Sequence, residues 1–384
     1  MPTAARLRLL DHFKCLAEKC PDDCCHSWNA YVDKETLAKW QGIKRQTRRD
    51  LLLSTVQPSA QESGDMVLMR KENGYCVHFD EDGLCEIQRR FSHDYLPLNC
   101  QLYPRETMHK NTISFQTAHL SCPGIIQLLQ ESDLDNLIEG ESALYQPKNL
   151  DIISQLSCAI HKYMQNIFAV KDIYLGLKIY ALSNVLSEIM QLALEDTLTS
   201  DLLNRKYHVS PDNLAEQWIA WQQNSHTEEF DRCKEQIRAF LQKINTGLLA
   251  KYKDTFETKL NISIPSFSLT RFFKWRAAVD ISQYEPMFEK YIRVKFLNNG
   301  FPWSPLQNNH AATFLECVIA LIICHQILIA CHEEGIEVDE SMLAKIIYTV
   351  EKVNGHSYDN IKLIGQKPEL LNLNQYNLVF TLLV

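Results

Sequence analysis

Eight of the thirteen cysteines of this chain lie in its first 122 residues: Cys15, Cys20, Cys24, Cys25, Cys76, Cys85, Cys100 and Cys122. Thiols at that density are crosslinked, bound to a metal or used in chemistry, and a crosslink or a metal takes over part of the work of a hydrophobic core. Disulfides need an oxidising compartment and, as a rule, an export signal. The opening residues, MPTAARLRLLDHFKCLAEKC, lack an apolar core and a small-residue cleavage site, and thirteen is an odd number. Reduced thiols in a cytoplasmic protein are therefore expected, and clustered reduced thiols point to metal ligation. Cys158, Cys233, Cys317, Cys324 and Cys331 sit in apolar helical contexts and read as core residues. Three of them, Cys317, Cys324 and Cys331, recur every seven residues and so share one helix face.

The rest of the composition is that of a globular protein, with 384 residues, 46% hydrophobic and 22% charged. A formal charge of -8 gives no electrostatic case for nucleic acid, which is bound by Lys and Arg neutralising phosphates. The basic run from Lys44 to Arg49 reads as a solvated helix face. The longest apolar stretch, residues 314–331, is interrupted by Glu316, His325 and Gln326, which suits a buried helix better than a membrane span.

Periodicity predicts a mainly α protein: an irregular cysteine-rich, metal-binding region over residues 1–125 with a small β-hairpin, then a helical domain over residues 126–384. In the first region, residues 33–53 read as one or two helices capped by Asp33 or Thr36, and residues 66–70 as a strand. The Asp80-Glu81-Asp82-Gly83 turn carries the chain back so that Cys76 and Cys85 approach each other. Residues 102–108 and 112–118, around His109-Lys110-Asn111, form the hairpin. Helices are expected over residues 152–170, 174–194, 214–223, 230–248, 286–297, 311–334 and 341–353.

Thiolate sulfur suits both zinc and iron-sulfur clusters. Structural zinc sites commonly draw on tight C-x2-C knuckles, whereas this chain runs Cys15-x4-Cys20-x3-Cys24-Cys25. Adjacent side chains point apart on most backbones, so Cys24 and Cys25 are expected to suit a larger cluster better than one small ion. The C-x3-C-x2-C signature of radical enzymes that use S-adenosylmethionine starts at Cys20 and Cys24 but meets Ser27 in its third position. No G-x-G turn is present to hold a nucleotide in a Rossmann-like fold. His12, His26, His78, His93, His109 and His119 are lesser candidates, each more simply a surface or packed histidine. Trp28 and Tyr103, beside ligand-like cysteines, read as an apolar wall that excludes water.

Four segments carry a resemblance: FKCLAEKCPDDCCHSW over residues 13–28, CVHFDEDGLC over 76–85, LNCQLYPR over 98–105 and LSCP over 120–123. With a looser similarity in EKYIRVKFLNNGFP over 289–302, the chain resembles the flagellin lysine-N-methylase family. That resemblance implies a cytoplasmic enzyme that moves a methyl group from S-adenosylmethionine to lysine side chains of flagellin before export, with a [4Fe-4S] cluster. An iron left open by three cysteine ligands would chelate the amino and carboxylate groups of the methyl donor. The eight N-terminal cysteines are the ligand pool, with Cys15 and Cys122 secondary.

A protonated lysine amine has no lone pair to attack with, so the site must desolvate it or supply a base. Tyr103, His93 and Asp94, near Cys100, are the catalytic candidates, with packing and surface exposure as their plainer explanations. The competing expectation is a non-enzymatic module in which zinc or a cluster stabilises a helical scaffold for binding or redox work.

Overall fold

The structure, a computed structural model, describes residues 5–26, 29–59, 66–110, 113–133, 137–140, 152–171, 173–194, 250–266, 268–303 and 310–354, with single residues at 216 and 242. The helices expected over 214–223 and 230–248, together with Trp28 and Cys233, lie outside these residues. Within them the protein is mainly α, as the periodicity predicts, with two small sheets where a hairpin and one further strand were expected.

The first half opens with β1 (Ala5–Leu7) and continues through β2 (Tyr31–Val32), α1 (Lys34–Gln41), α2 (Gln46–Leu53), β3 (Val56–Pro58) and β4 (Met66–Leu68). Then follow α3 (Glu86–Phe91), α4 (Leu98–Leu102), the hairpin β5 (Arg105–Lys110) and β6 (Ile113–Ala118), α5 (Pro123–Glu131) and β7 (Ile138–Glu139). One antiparallel sheet has the order β2-β4-β3 and the other the order β5-β6-β1-β7. In the second, β1 runs parallel to β6, with Ala5 opposite Phe115, a pairing across the chain that local patterning does not announce.

Asp33 is the cap that forms. Its carboxylate accepts from the Thr36 amide at 2.9 Å and the Thr36 hydroxyl at 2.6 Å, because Thr36 already lies inside the first turn. The same carboxylate accepts from the Leu98 amide at 3.1 Å, so one residue caps α1 and anchors the start of α4. The hairpin strand starts at Arg105, later than expected, since residues 98–102 are helical and Pro104 has no amide to give to a ladder.

The helical part comprises α6 (Ile152–Ala169), α7 (Leu175–Leu194), α8 (Ala250–Leu260), α9 (Leu269–Ala278), α10 (Glu285–Asn298), α11 (His310–Glu333) and α12 (Glu340–Asn354). Helix α11 is long and apolar enough to cross a membrane by composition, yet it is buried from His310 to Cys331 and packs against α9, α10 and α12. Apolarity on every side places a helix at the centre of a bundle.

Two hydrophobic cores result. The small one gathers Val32, Trp40, Leu52, Leu68, Ile87 and Leu96. The large one joins the helices to β1, β6 and α5, with Phe115, Ile125 and Leu129 beside Tyr291, Phe296 and Phe314, and so takes residues from both sides of residue 125.

Cys317, Cys324 and Cys331 are fully buried in this core. Burial holds their thiols protonated, and Cys317 accepts a hydrogen bond from Asn299 at 3.3 Å. Truncating Cys317 or Cys324 to alanine should lower unfolding stability by on the order of 1 kcal/mol, read from chemical denaturation, and leave metal content unchanged.

The core also encloses charge. Lys295 on α10 lies 3.2 Å from Glu316 on α11 and 3.0 Å from Glu351 on α12, and Tyr291 donates to Glu351 at 2.5 Å. Burial works against the Lys295 cation, but the two carboxylates outweigh it and raise its pKa. Burial pushes Glu316 in the opposite direction from an exposed carboxylate, upward, against the pull of Lys295.

Candidate functional site

The cysteine segments come together through backbone contacts. The Cys76 amide donates to the Cys25 carbonyl at 2.9 Å, and His26 bridges to Tyr75, so the CPDDCC loop lies along residues 75–76. Downstream, Asp80 accepts from the Asp82 and Leu84 amides at 3.0 and 2.9 Å and Gly83 adopts φ +75°, closing a turn. Phe79 then bridges to Cys85, and the Cys76 thiol is near enough to push up that of Cys85. A left-handed φ favours glycine, because any side chain there is strained.

Cys100 rides on α4, whose ends are held by Asp33, by Asn99 donating to the Asn29 carbonyl at 2.9 Å and by Gln101 donating to the Leu96 carbonyl at 2.6 Å. Cys122 precedes α5. There Gly124 allows Phe13 and Leu16 to approach, since a β-carbon would stand 3.3 Å from the Phe13 ring.

The result is one cavity of about 420 Å³. Cys15, Cys20, Cys24, Cys25, Cys85, Cys100 and Cys122 all line it, with Phe13, Phe79, Leu96 and Pro104 as apolar wall. Cys76 is outside the lining but close behind it, raising the pKa of Cys25, Cys85 and Cys100. All eight thiols are free of disulfides.

Burial is the chief cause that raises Cys85 to about 11 and Cys122 to about 12. Backbone amides face those sulfurs and act in the other direction: Gln88 and Ile87 at Cys85, Ile125 and Gly124 at Cys122. The Asp22 amide does the same at Cys20 and the His78 amide at Cys76, in each case against burial. The sulfur of Cys24, accepting a hydrogen bond from Cys25, is favoured as thiolate, and Cys25 keeps its proton. The expectation that these two side chains point apart is therefore not met: the two sulfurs interact with each other and line the same cavity.

The donor set fits an iron-sulfur cluster. Such clusters take thiolates, and their potentials are tuned by hydrogen bonds to sulfur, which the backbone amides at Cys20, Cys76, Cys85 and Cys122 offer. Among the described residues no group of three His, Cys, Asp or Glu side chains is arranged to hold a single ion. The case for a cluster thus comes from thiols spread around a shared cavity and no longer from the Cys24-Cys25 step.

The catalytic candidates separate. Tyr103 and the exposed His93 line the cavity, while Asp94, also exposed, is outside the lining, its carbonyl accepting from Lys39 at 2.7 Å. Tyr103 is stacked on His119 at 5.6 Å, and its hydroxyl meets the Ser121 hydroxyl at 3.3 Å. Burial raises its pKa well above that of an exposed phenol. Of the other histidines, His78 is buried between Thr55, at 2.9 Å, and Glu86.

Three site residues escape sequence reasoning. Asp22 and Asp23 stand within the CPDDCC segment but are held by distant lysines: Lys352 of α12 lies 2.8 Å from Asp22 and 3.6 Å from Asp23, and Lys259 of α8 lies 3.3 Å from Asp22. The third, Arg105, enters the wall from the first position of β5.

Burial disfavours the Asp22 anion, but the Lys352 hydrogen bond and charge prevail and lower its pKa, while the same contact raises that of Lys352. The depressed carboxylate stabilises the fold above its unfolded pKa of about 3.9 and loses that contribution as pH falls through the lower folded value. The raised lysine contributes fully below about 10.4 and loses it as pH climbs through its folded value. The clamp thus spans the neutral range. Lys352→Met is expected to cost about 1.5–3 kcal/mol and to speed hydrogen exchange in residues 20–26. Unchanged exchange there would show that the loop is held by other contacts.

The FliB lysine N-methylase C-terminal domain matches this chain over residues 159–382. The lysine-N-methylase of Salmonella choleraesuis strain SC-B67 is 23% identical over 397 aligned positions, covering 94% of this chain and 94% of that protein. The flagellar biosynthetic protein FliU of Salmonella muenchen is 28% identical over 154 residues, 36% of this chain and 85% of FliU. No solved structure matches. Because the domain match takes in more than half of its length, the chain belongs to the FliB lysine N-methylase family.

Proposed function

We propose that the protein transfers a methyl group from S-adenosylmethionine to lysine side chains of flagellin in the cytoplasm, using a [4Fe-4S] cluster carried within residues 1–125. The observation that carries this reading is the single cavity of about 420 Å³ that seven cysteines share with His93 and Tyr103, in a member of a lysine N-methylase family. The name of FliU supports a flagellar substrate.

A bound cluster would supply an anchoring site for the amino and carboxylate groups of the methyl donor. The protein's own groups do the rest. Phe13, Phe79 and Leu96 give the cavity an apolar wall, and desolvation against it would favour the neutral form of an entering lysine. That amine must shed its proton before it attacks the sulfonium methyl group, with S-adenosylhomocysteine leaving. His93, on the cavity wall, is the proposed proton acceptor; Tyr103, which keeps its own proton, is the proposed hydrogen-bond donor that orients the reactants. Asp94, outside the wall, takes no part in this scheme.

Anaerobically purified protein should contain iron and acid-labile sulfide and should label flagellin from S-adenosylmethionine carrying a marked methyl group. Removing the metal should abolish labelling even where circular dichroism shows an intact fold. Methylation by a folded, cluster-free preparation would overturn the cluster's part in the reaction. Zinc in place of iron, with no transfer, would favour the alternative of a metal-stabilised binding module.

A further inference from the structure

Besides its thiols and His93, the cavity wall carries four charged side chains: Asp22, Asp23, Arg89 and Arg105. Three are already neutralised. Lys352 holds both aspartates, and Arg89 lies 2.6 Å from Asp80 and 2.8 Å from Asp82. Arg105 faces no carboxylate among the described residues; its guanidinium packs over the Phe13 ring with 5.2 Å to the centroid. It is half-buried, and its backbone pairs with Ala118 in the sheet, so the base of the side chain is held firmly. Ring stacking leaves the planar fork of N–H groups available, and that fork matches a carboxylate with two parallel hydrogen bonds.

We infer that Arg105 binds the carboxylate of the amino-acid end of the methyl donor and so fixes the donor's orientation in the cavity. This rests on the methyl-transfer reading above, and it assigns a residue for donor recognition where that reading names none. Arg105 would hold the donor's carboxylate beside the anchoring site that a bound cluster supplies. An acidic side chain of the protein substrate offers the same chemistry, and simple balancing of the negative thiolates would also use a cation.

The experiment compares S-adenosylmethionine with its decarboxylated analogue by equilibrium binding to full-length, iron-loaded protein, and it begins with the wild type, where folding is not in question. The wild type is expected to prefer the carboxylated donor by roughly 10- to 100-fold. Arg105→Met should cut that preference by about 10-fold or more while leaving affinity for the decarboxylated analogue and the iron content unchanged. Arg105→Lys should restore part of it, since an ammonium keeps the charge and loses the fork.

Equal binding of both forms by iron-loaded wild type would overturn the Arg105 assignment together with the cluster's hold on the donor carboxylate, whereas a preference fully preserved in Arg105→Met would overturn the Arg105 assignment alone. Binding of neither form would overturn the donor reading and this assignment with it. Preserved donor preference in Arg105→Met, with a raised KM for flagellin, would give the residue to the protein substrate instead. Loss of iron together with equal loss of both ligands would make it a charge-balancing residue, and the inference would fall.

Discussion

Replacing Cys24, Cys85 or Cys100 by serine is expected to remove most of the iron from anaerobically purified protein and to lower methyl transfer by more than about 100-fold. The reasoning is local. Cys85 and Cys100 are driven to high pKa chiefly by burial, so without a metal they are neutral thiols in a low-dielectric wall. A metal replaces the proton on each sulfur, which couples loading to the fold of the whole region. Serine keeps the size and polarity of the side chain but offers a hard oxygen where a soft sulfur is needed. At Cys85 the amides of Gln88 and Ile87 would still find an acceptor, so the helix start should survive and the loss should be one of metal. Iron and sulfide per chain, an absorption spectrum and circular dichroism read the three effects apart. Retention of full iron content in all eight single serine variants would end the cluster assignment.

Lys295→Met is expected to destabilise the protein by about 3–5 kcal/mol, read from the midpoint of chemical denaturation. The change leaves Glu316 and Glu351 buried without their cation, and uncompensated buried charge is among the most expensive defects in a core. The carboxyls can escape by taking up protons, and burial already pushes Glu316 that way. Their folded pKa values would then stand above the unfolded value near 4.3, so the folded state would bind more protons and the variant should lose stability as pH rises. Combining Lys295→Met with Glu316→Gln and Glu351→Leu should recover much of the loss, because well-packed neutral groups can replace a buried ion pair at little cost. A loss below about 1 kcal/mol in the single variant, the size of an exposed pair, would mean that water reaches this site.

The parts of the fold that were legible beforehand depend on short-range physics. Asp33 caps α1 because its side chain reaches an amide three residues on, the Asp80 turn closes on its own amides, and α11 is central because it is apolar all round. Eight cysteines in the first 122 residues pointed to a shared thiol site, and seven of them line one cavity. Where local reasoning went astray, at Cys24-Cys25, it took adjacent side chains to point apart, whereas the two sulfurs meet at one cavity.

Sequence by itself therefore determined the mainly helical class, the hairpin, the central buried helix and the membership of the thiol pool. Only the tertiary structure decided which thiols share a wall, that β1 lies parallel to β6, that Asp22 is gripped by Lys352 from 330 residues away and that Arg105 packs over Phe13 and meets no carboxylate among the described residues. The physical reason is range. Periodicity, caps and turns act over a few residues, whereas the partner of a buried charge is chosen by whichever helix the packing of the whole core brings alongside it.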